Sequence, residues 1–189
     1  MRRSGRRDDF QRQRVGGGDR VVPTGADAPE GHPRKEPAMG GNGSAKLDED
    51  RAVDILNHIV ELELAGTVRY TQYSLMVFGH ARIPIISWMR EQAAESAVHA
   101  VQAGEEVTAR GRKVSLAIGE LVGTHHDTVD EMMQEMLIHE RRSIVLYREL
   151  LDVAEGCDVS LEELARQMIR REEIDVSEIE KMLRKRGDA

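Results

Sequence analysis

Cysteine is nearly absent from this chain of 189 residues, where Cys157 stands alone. It can form no internal disulfide and has no partner for a cysteine-based zinc site. The fold must therefore rest on packing, and the cytosol is the expected compartment. Aromatic residues make up only 3%. The core must come instead from Leu, Ile, Val, Met and Ala, with nine methionines as adaptable filler. Proline is confined as well: four of the five precede residue 40, and only Pro84 follows. No apolar run approaches the roughly 18 residues that a membrane helix needs. The N-terminus is basic but lacks the apolar stretch of a secretion signal. What remains is 40% hydrophobic and 32% charged, a composition suited to amphipathic helices.

The chain divides into two unequal parts. Residues 1–46 hold nine of the 17 glycines and carry ten Lys+Arg against six Asp+Glu, a net charge of +4. With few large apolar side chains, this stretch cannot offset its ordering entropy by burial, and it reads as a disordered tail. Met39 is an alternative start. The arginines Arg2, Arg3, Arg6, Arg7, Arg12 and Arg14 could form an arm for nucleic acid or an acidic partner. Asp8, Asp9 and Asp19 dilute that pattern, so a dispensable extension is the plainer expectation. Residues 47–189 carry 17 Lys+Arg against 28 Asp+Glu, a net of −11.

Four helices are expected in this acidic part: Asp48 to Phe78 or His80, Pro84 to Arg110, Thr124 to Glu155, and Ser160 to about Gly187. Gly111 and Gly156 stand where helices end. Pro84 suits a first helical turn, and Ser160 with Glu163 reads as a capping box. The first and third connections are short, which predicts antiparallel hairpins. The second, Arg112 to Gly123, is long enough to cross a bundle from end to end. The expected fold is all-α, a four-helix bundle with one long crossover between helices two and three.

Acidic residues interrupt each apolar stripe. The stripes run Leu56, Ile59, Glu63, Gly66, Tyr70, Tyr73, Val77 on the first helix, and Ile85, Trp88, Gln92, Glu95, His99, Ala103 on the second. They continue as Val129, Met132 or Met133, Met136, Glu140, Ile144, Tyr147, Leu151 on the third, and Leu161, Ala165, Met168, Glu172, Asp175, Ile179, Met182 on the fourth. A single such acid can be protonated, paired with an arginine, or wet at a bundle end; Arg69 and Arg170 are the competing partners. Acids on all four helices at similar depth would repel strongly when buried together. A shared cation resolves that repulsion. Carboxylate oxygen with imidazole nitrogen suits iron, manganese or zinc. His99 alone would read as a core histidine, but it joins Glu95 at i,i+4.

At these residues the chain resembles bacterioferritin and its ferritin-like di-iron carboxylate relatives. The segment LNHIVELELAGTVRY places Glu63 and Tyr70 as the family's first helix places its ligand Glu and nearby Tyr. AESAVHA resembles the motif ending in the ligand His, at His99. VDEMMQEMLIHE puts Glu140 at the third-helix ligand position, and IRREEIDVSEIEKML puts Glu172 at the bridging position. The family's Glu-x-x-His motifs are altered. Ser96 stands where the second helix should carry Glu, and Asp175 where the fourth should carry His. Glu95, one position early, reaches the metals only if the helix is locally wound differently, for instance by a π-bulge. The haem-ligating Met would fall at Ala97, so haem has no support there.

The resemblance implies two iron ions per chain among Glu63, Glu95, His99, Glu140, Glu172 and Asp175. Oxygen or peroxide would oxidise them for storage or detoxification in a homo-oligomeric shell, with Tyr70 bonding a ligand carboxylate or donating an electron. The alternative is a structural or metal-binding module without ferroxidase activity. Glu135 and His139 repeat the E-x-x-x-H spacing and read either as an accessory site or as a solvated helix flank. His125 and His126 read as surface or subunit contact.

Overall fold

The structure, a computed structural model, describes residues 46–121 and 126–185. The N-terminal tail, its arginines and Met39 lie outside the described residues. Four helices follow in order: α1 Glu49–Met76, α2 Arg82–Ala109, α3 Val129–Ala154 and α4 Val159–Leu183. No strand occurs among the described residues, and no helix is long and apolar enough to cross a membrane.

Local chemistry sets the ends. Asp48 caps α1 by accepting the Arg51 amide at 3.2 Å. Gly111 and Gly156 adopt φ of 67° and 71° just past α2 and α3, in the left-handed region that glycine enters without steric cost. Pro84 lies in the first turn of α2. Two expected starts are corrected. The third helix begins at Val129 rather than Thr124, because Thr128 and Glu131 form a reciprocal capping box there. The expected capping box at Ser160 does not form. Asp158 caps α4 instead, accepting the amides of Ser160 and Leu161 at 3.0 and 3.2 Å. A carboxylate that meets two amides at the positive helix end outcompetes the hydroxyl two residues later.

The connections give the topology. α1 pairs with α2 and α3 with α4, each through a short turn. After α2 the chain climbs back alongside α1. Ser115 N donates to Asn57 Oδ1 at 2.8 Å, and further on Gly119 N donates to Glu61 O at 2.8 Å. A Cβ at Gly119 would come within 2.9 Å of that carbonyl, so only glycine allows this approach. The connection thus returns to the end of the bundle where α1 finishes, and α2 and α3 run parallel. This is the single long crossover expected from the Arg112–Gly123 segment.

Two apolar clusters fill the interior. One joins Leu56, Ile59, Val107, Leu150 and Leu161; the other joins Tyr73, Met89, Met136 and Ile179. A fully buried Leu or Ile contributes on the order of 1.5–3 kcal/mol. Between the clusters lies a polar layer: Glu63, Ser96, His99, Glu140, Ser143, Glu172 and Asp175, all buried. Of the expected inner stripes only the ends and one middle residue depart. Met182 is exposed, and on α2 it is Ser96 rather than Glu95 that faces fully inward.

Candidate metal centre

The polar layer exists because helical spacing delivers one acid or imidazole from each helix at the same depth. Glu63 on α1 is 2% exposed, Glu172 on α4 2% and Asp175 1%. His99 Nδ1 lies 3.1 Å from Glu172 Oε1 and 3.7 Å from Glu63 Oε1. One donor atom from each of Glu63, His99 and Glu172 falls within 4.8 Å of the others, close enough to hold one metal ion.

Around this triangle the remaining groups are oriented by hydrogen bonds. Ser143 Oγ donates to Glu63 Oε1 at 3.0 Å, and the Tyr147 hydroxyl donates to the same oxygen at 3.4 Å. The Tyr70 hydroxyl donates to Glu140. Tyr70 therefore stands against a candidate ligand carboxylate, as its place on the inner stripe suggested.

Burial and pairing compete over the charges. Burial raises Glu63 above its ordinary value, against the opposing pull of His99. Burial also holds Glu140 well above the carboxylate range, reinforced by its hydrogen bond with Glu172 and by the charges of Glu172, Glu63 and Asp175. Glu172 is buried too, but pairing with His99 and the hydrogen bond with Glu140 outweigh that burial and lower it. Burial disfavours a charged His99, yet pairing with Glu172 and Glu63 pushes it up to about 10. Burial raises Asp175 to about 7 despite the nearby Arg171. Pairing thus favours the charged form of His99, while burial favours the neutral form of Glu140.

Two acceptors of the layer are held by ion pairs alone: Glu172 Oε1 by His99 at 3.1 Å and Asp175 Oδ1 by Arg171 at 3.4 Å. Glu172 Oε1 and Asp175 Oδ1 are buried with no aligned hydrogen bond among the described residues. A buried carboxylate oxygen without an aligned hydrogen bond is costly, and a metal cation would satisfy both more fully than these ion pairs do. Oxygen donors with an imidazole nitrogen fit iron, manganese or zinc.

Glu95 stands apart. α2 is regular throughout, with no π-bulge to turn Glu95 inward. Its carboxylate is gripped by Arg171 of α4 through two bonds, one of 2.5 Å to Oε2. His99 Nε2 remains 3.8 Å from Glu95 Oε1, so Glu95 lies at the margin of the layer. The competing arginine is therefore Arg171. Arg170 is exposed, and Arg69 instead pairs with Glu135 at 3.1 Å.

Glu135 also accepts from Tyr73 and lies 2.6 Å from His126 Nε2. It does not pair with His139 as the repeated spacing suggested. His126 is thus held within the chain, while His125 lies outside the described residues. His139 is not a solvated flank either: its Nε2 is buried without a hydrogen-bond partner among the described residues. Burial pushes its pKa down to about 4, so the ring is neutral near neutral pH. The space that lets His139 turn inward is made by Gly66 of α1 and Ser96 of α2, a Cβ on Gly66 coming 2.5 Å from its Nε2.

Comparison with known proteins agrees with this architecture. Residues 53–186 match the family model described as the ferritin-like domain. No curated protein matches the sequence. Among solved structures, the chain is similar to a ferritin-like, diiron-carboxylate protein from Bacillus anthracis, with 19% identity, a TM-score of 0.66, and coverage of 72% of this chain and 98% of that one. It is similar to a dodecameric thioferritin, the bacterioferritin-related protein of Bacteroides fragilis, with 20% identity, a TM-score of 0.68, and coverage of 73% and 87%. It is also similar to the bacterioferritin of Desulfovibrio desulfuricans, with 21% identity, a TM-score of 0.63, and coverage of 71% and 81%. At these identities the likeness carries the fold.

Proposed function

Because this chain belongs to the ferritin-like domain family, we propose that it takes up ferrous iron as substrate in the polar layer and oxidises it with oxygen or peroxide, in the service of iron storage or detoxification in the cytosol. The observation that carries this reading is the buried Glu63–His99–Glu172 group, with its donor atoms within 4.8 Å of one another. Glu63 and His99 hold one ion, Glu140 and Asp175 a second, and Glu172 serves both. Glu95 joins only by leaving Arg171. Two ferrous ions give up one electron each; with two protons these reduce dioxygen to hydrogen peroxide, or hydrogen peroxide to two waters, and the carboxylates stabilise the higher charge of the ferric product. Tyr70, bonded to Glu140, orients that ligand and stands within reach as an electron donor.

The net charge of −11 on residues 47–189 draws cations toward the bundle. Exposed Val98, Val101, Ile138 and Val145 on the helix surfaces support burial against further copies of the chain. A relative from Bacteroides fragilis is dodecameric, and a homo-oligomer is the proposed assembly here. A second reading has a specific observation behind it. The Arg171 grip on Glu95, with Ser96 beside it, weakens the centre toward a module that binds metal, including manganese or zinc, without oxidising it.

Anaerobic ferrous titration followed by admission of air separates the two. Tight uptake of about two ions per chain, then a prompt ferric absorption band, is the expected result. Uptake without the band selects the module. Glu140→Gln keeps the shape of the side chain and removes its charge; oxidation unchanged in that variant would overturn the ligand assignment.

A further inference from the structure

Residues of α1, α3 and the crossover line a cavity of about 160 Å³ beside the polar layer. One water needs only about 10–15 Å³, so a small molecule fits with room to move. The walls are mostly apolar, with Leu62, Ala65 and Met136 among them. Gly66, Tyr70 and His139 line the cavity as well. His139 Nε2 is buried with no hydrogen-bond partner among the described residues. A buried ring nitrogen left unpaired is costly, and such an orphan marks a place for a small molecule that completes it. Gly66 makes the room: a Cβ there would come 2.5 Å from His139 Nε2 and 3.0 Å from Ser96 Oγ. The ring nitrogen thus stands next to the buried layer to which Ser96 belongs. The Tyr70 ring meets His139 edge-on at 6.0 Å, and the Tyr70 hydroxyl donates to Glu140. Tyr70 therefore links the cavity to a proposed iron ligand.

The lining decides what enters. Two arginines, Arg69 and Arg142, offset two acids, Glu120 and Glu135, and Glu135 is already paired with Arg69 at 3.1 Å. A ferrous ion gains no net charge attraction here and would shed water against apolar walls. A small neutral molecule incurs little of that cost. Dioxygen is neutral but leaves His139 Nε2 without a useful hydrogen bond. Hydrogen peroxide is neutral, donates and accepts, and so satisfies the ring nitrogen in either tautomer. We propose that this cavity binds hydrogen peroxide, held at His139 Nε2 beside the metal centre. This inference rests on the reading of the layer as an iron-oxidising centre. Peroxide bound there is the oxidant: two ferrous ions supply one electron each, two protons enter, the O–O bond breaks, and two waters leave. His139 binds and orients the oxidant without ligating the metal.

The test mixes the ferrous-loaded full chain anaerobically with hydrogen peroxide and follows ferric absorption over a range of peroxide concentrations. The rate in the unaltered chain should saturate. His139→Leu fills similar space without a hydrogen bond. It should raise the half-saturating peroxide concentration roughly 2–10-fold, the worth of one hydrogen bond, with a smaller effect on the limiting rate. His139→Gln keeps a donor and an acceptor and should recover part of that loss. Gly66→Ala favours helix but takes the space of the ring, so it should raise the half-saturating concentration as well. In the metal-free chain, the nitrogen-15 resonance of the His139 imidazole should move as peroxide is added. Equal half-saturating concentrations in the unaltered chain and His139→Leu, or a His139 resonance that peroxide leaves in place, overturn the proposal and leave the iron centre standing. A chain that binds no ferrous ion, or whose bound iron neither peroxide nor air oxidises, overturns the iron-oxidising reading, and this proposal with it.

Discussion

The inner and outer sides of the polar layer neutralise their charge by different means. On the inner side, His99 sits between Glu63 and Glu172, and a proton on the imidazole does the work of a cation. On the outer side, Glu95 and Asp175 rely on a fixed side chain, Arg171, which lies 2.5 Å from one and 3.4 Å from the other. The difference bears on loading. A proton leaves for solvent as a metal arrives, and binding then becomes pH-dependent. An arginine must swing away, breaking charge-assisted bonds as it goes. The inner side is therefore the ready half of the centre, and the outer side is latched.

The largest effect should come from Glu172, the residue both halves share. Glu172→Gln keeps the volume but removes the charge that pairs with His99 and accepts from Glu140. Metal affinity should fall by more than the roughly 10–100-fold typical of an outer supporting group, with both binding steps affected in calorimetry. Loss of a single step would mean that Glu172 serves one ion alone and that the two sides are independent.

A smaller effect should separate the sides by pH. Burial raises Asp175 to about 7 in the folded chain, from an ordinary value of 3.8. The folded state thus binds more protons than the unfolded one between those values. Asp175's contribution to stability is complete below the ordinary value and fades as pH rises through about 7. Glu172, lowered by its partners, acts in the opposite sense, so the comparison must be with Asp175→Asn. In metal-free protein, that substitution should cancel a decline of up to a few kcal/mol between pH 4 and pH 8 in denaturant melts. If the two melting profiles stay parallel across that range, Asp175 is ionised throughout and Arg171 dominates it.

Much of this centre could be read from the sequence, because period and burial agree for the residues that carry it. Glu63, His99, Glu140 and Glu172 each fall on an apolar stripe, and each is buried. The crossover was legible from its length and lack of period. Three features were not legible, each for its own reason. Helical period sets Glu95 and Ser96 about 100° apart, at either edge of the stripe, and only the packing of α2 in the bundle, with Arg171 of α4 against Glu95, shows which of them is buried. Asp158 and Ser160 can each cap α4, and the choice depends on where the preceding turn leaves the chain. His139 sits at the edge of its stripe, and its inward path exists because Gly66 on α1 and Ser96 on α2 make room. A one-helix pattern cannot show a space made by two others.

The smallest effect tests the latch itself. Arg171 is 38% exposed and Glu95 26%, so solvent screens the pair and little stability depends on it. Arg171→Met keeps the apolar stem and removes the guanidinium. It should lower metal-free stability by about 1 kcal/mol or less, seen as a shift of a few degrees in the melting midpoint. With Glu95 and Asp175 released, the outer side gains two carboxylates for a cation. The second metal step should then tighten, by a few-fold at most, while the first stays unchanged. A second step that weakens instead would show that Arg171 positions Asp175 for the metal, and the outer side would be organised by its arginine rather than latched by it.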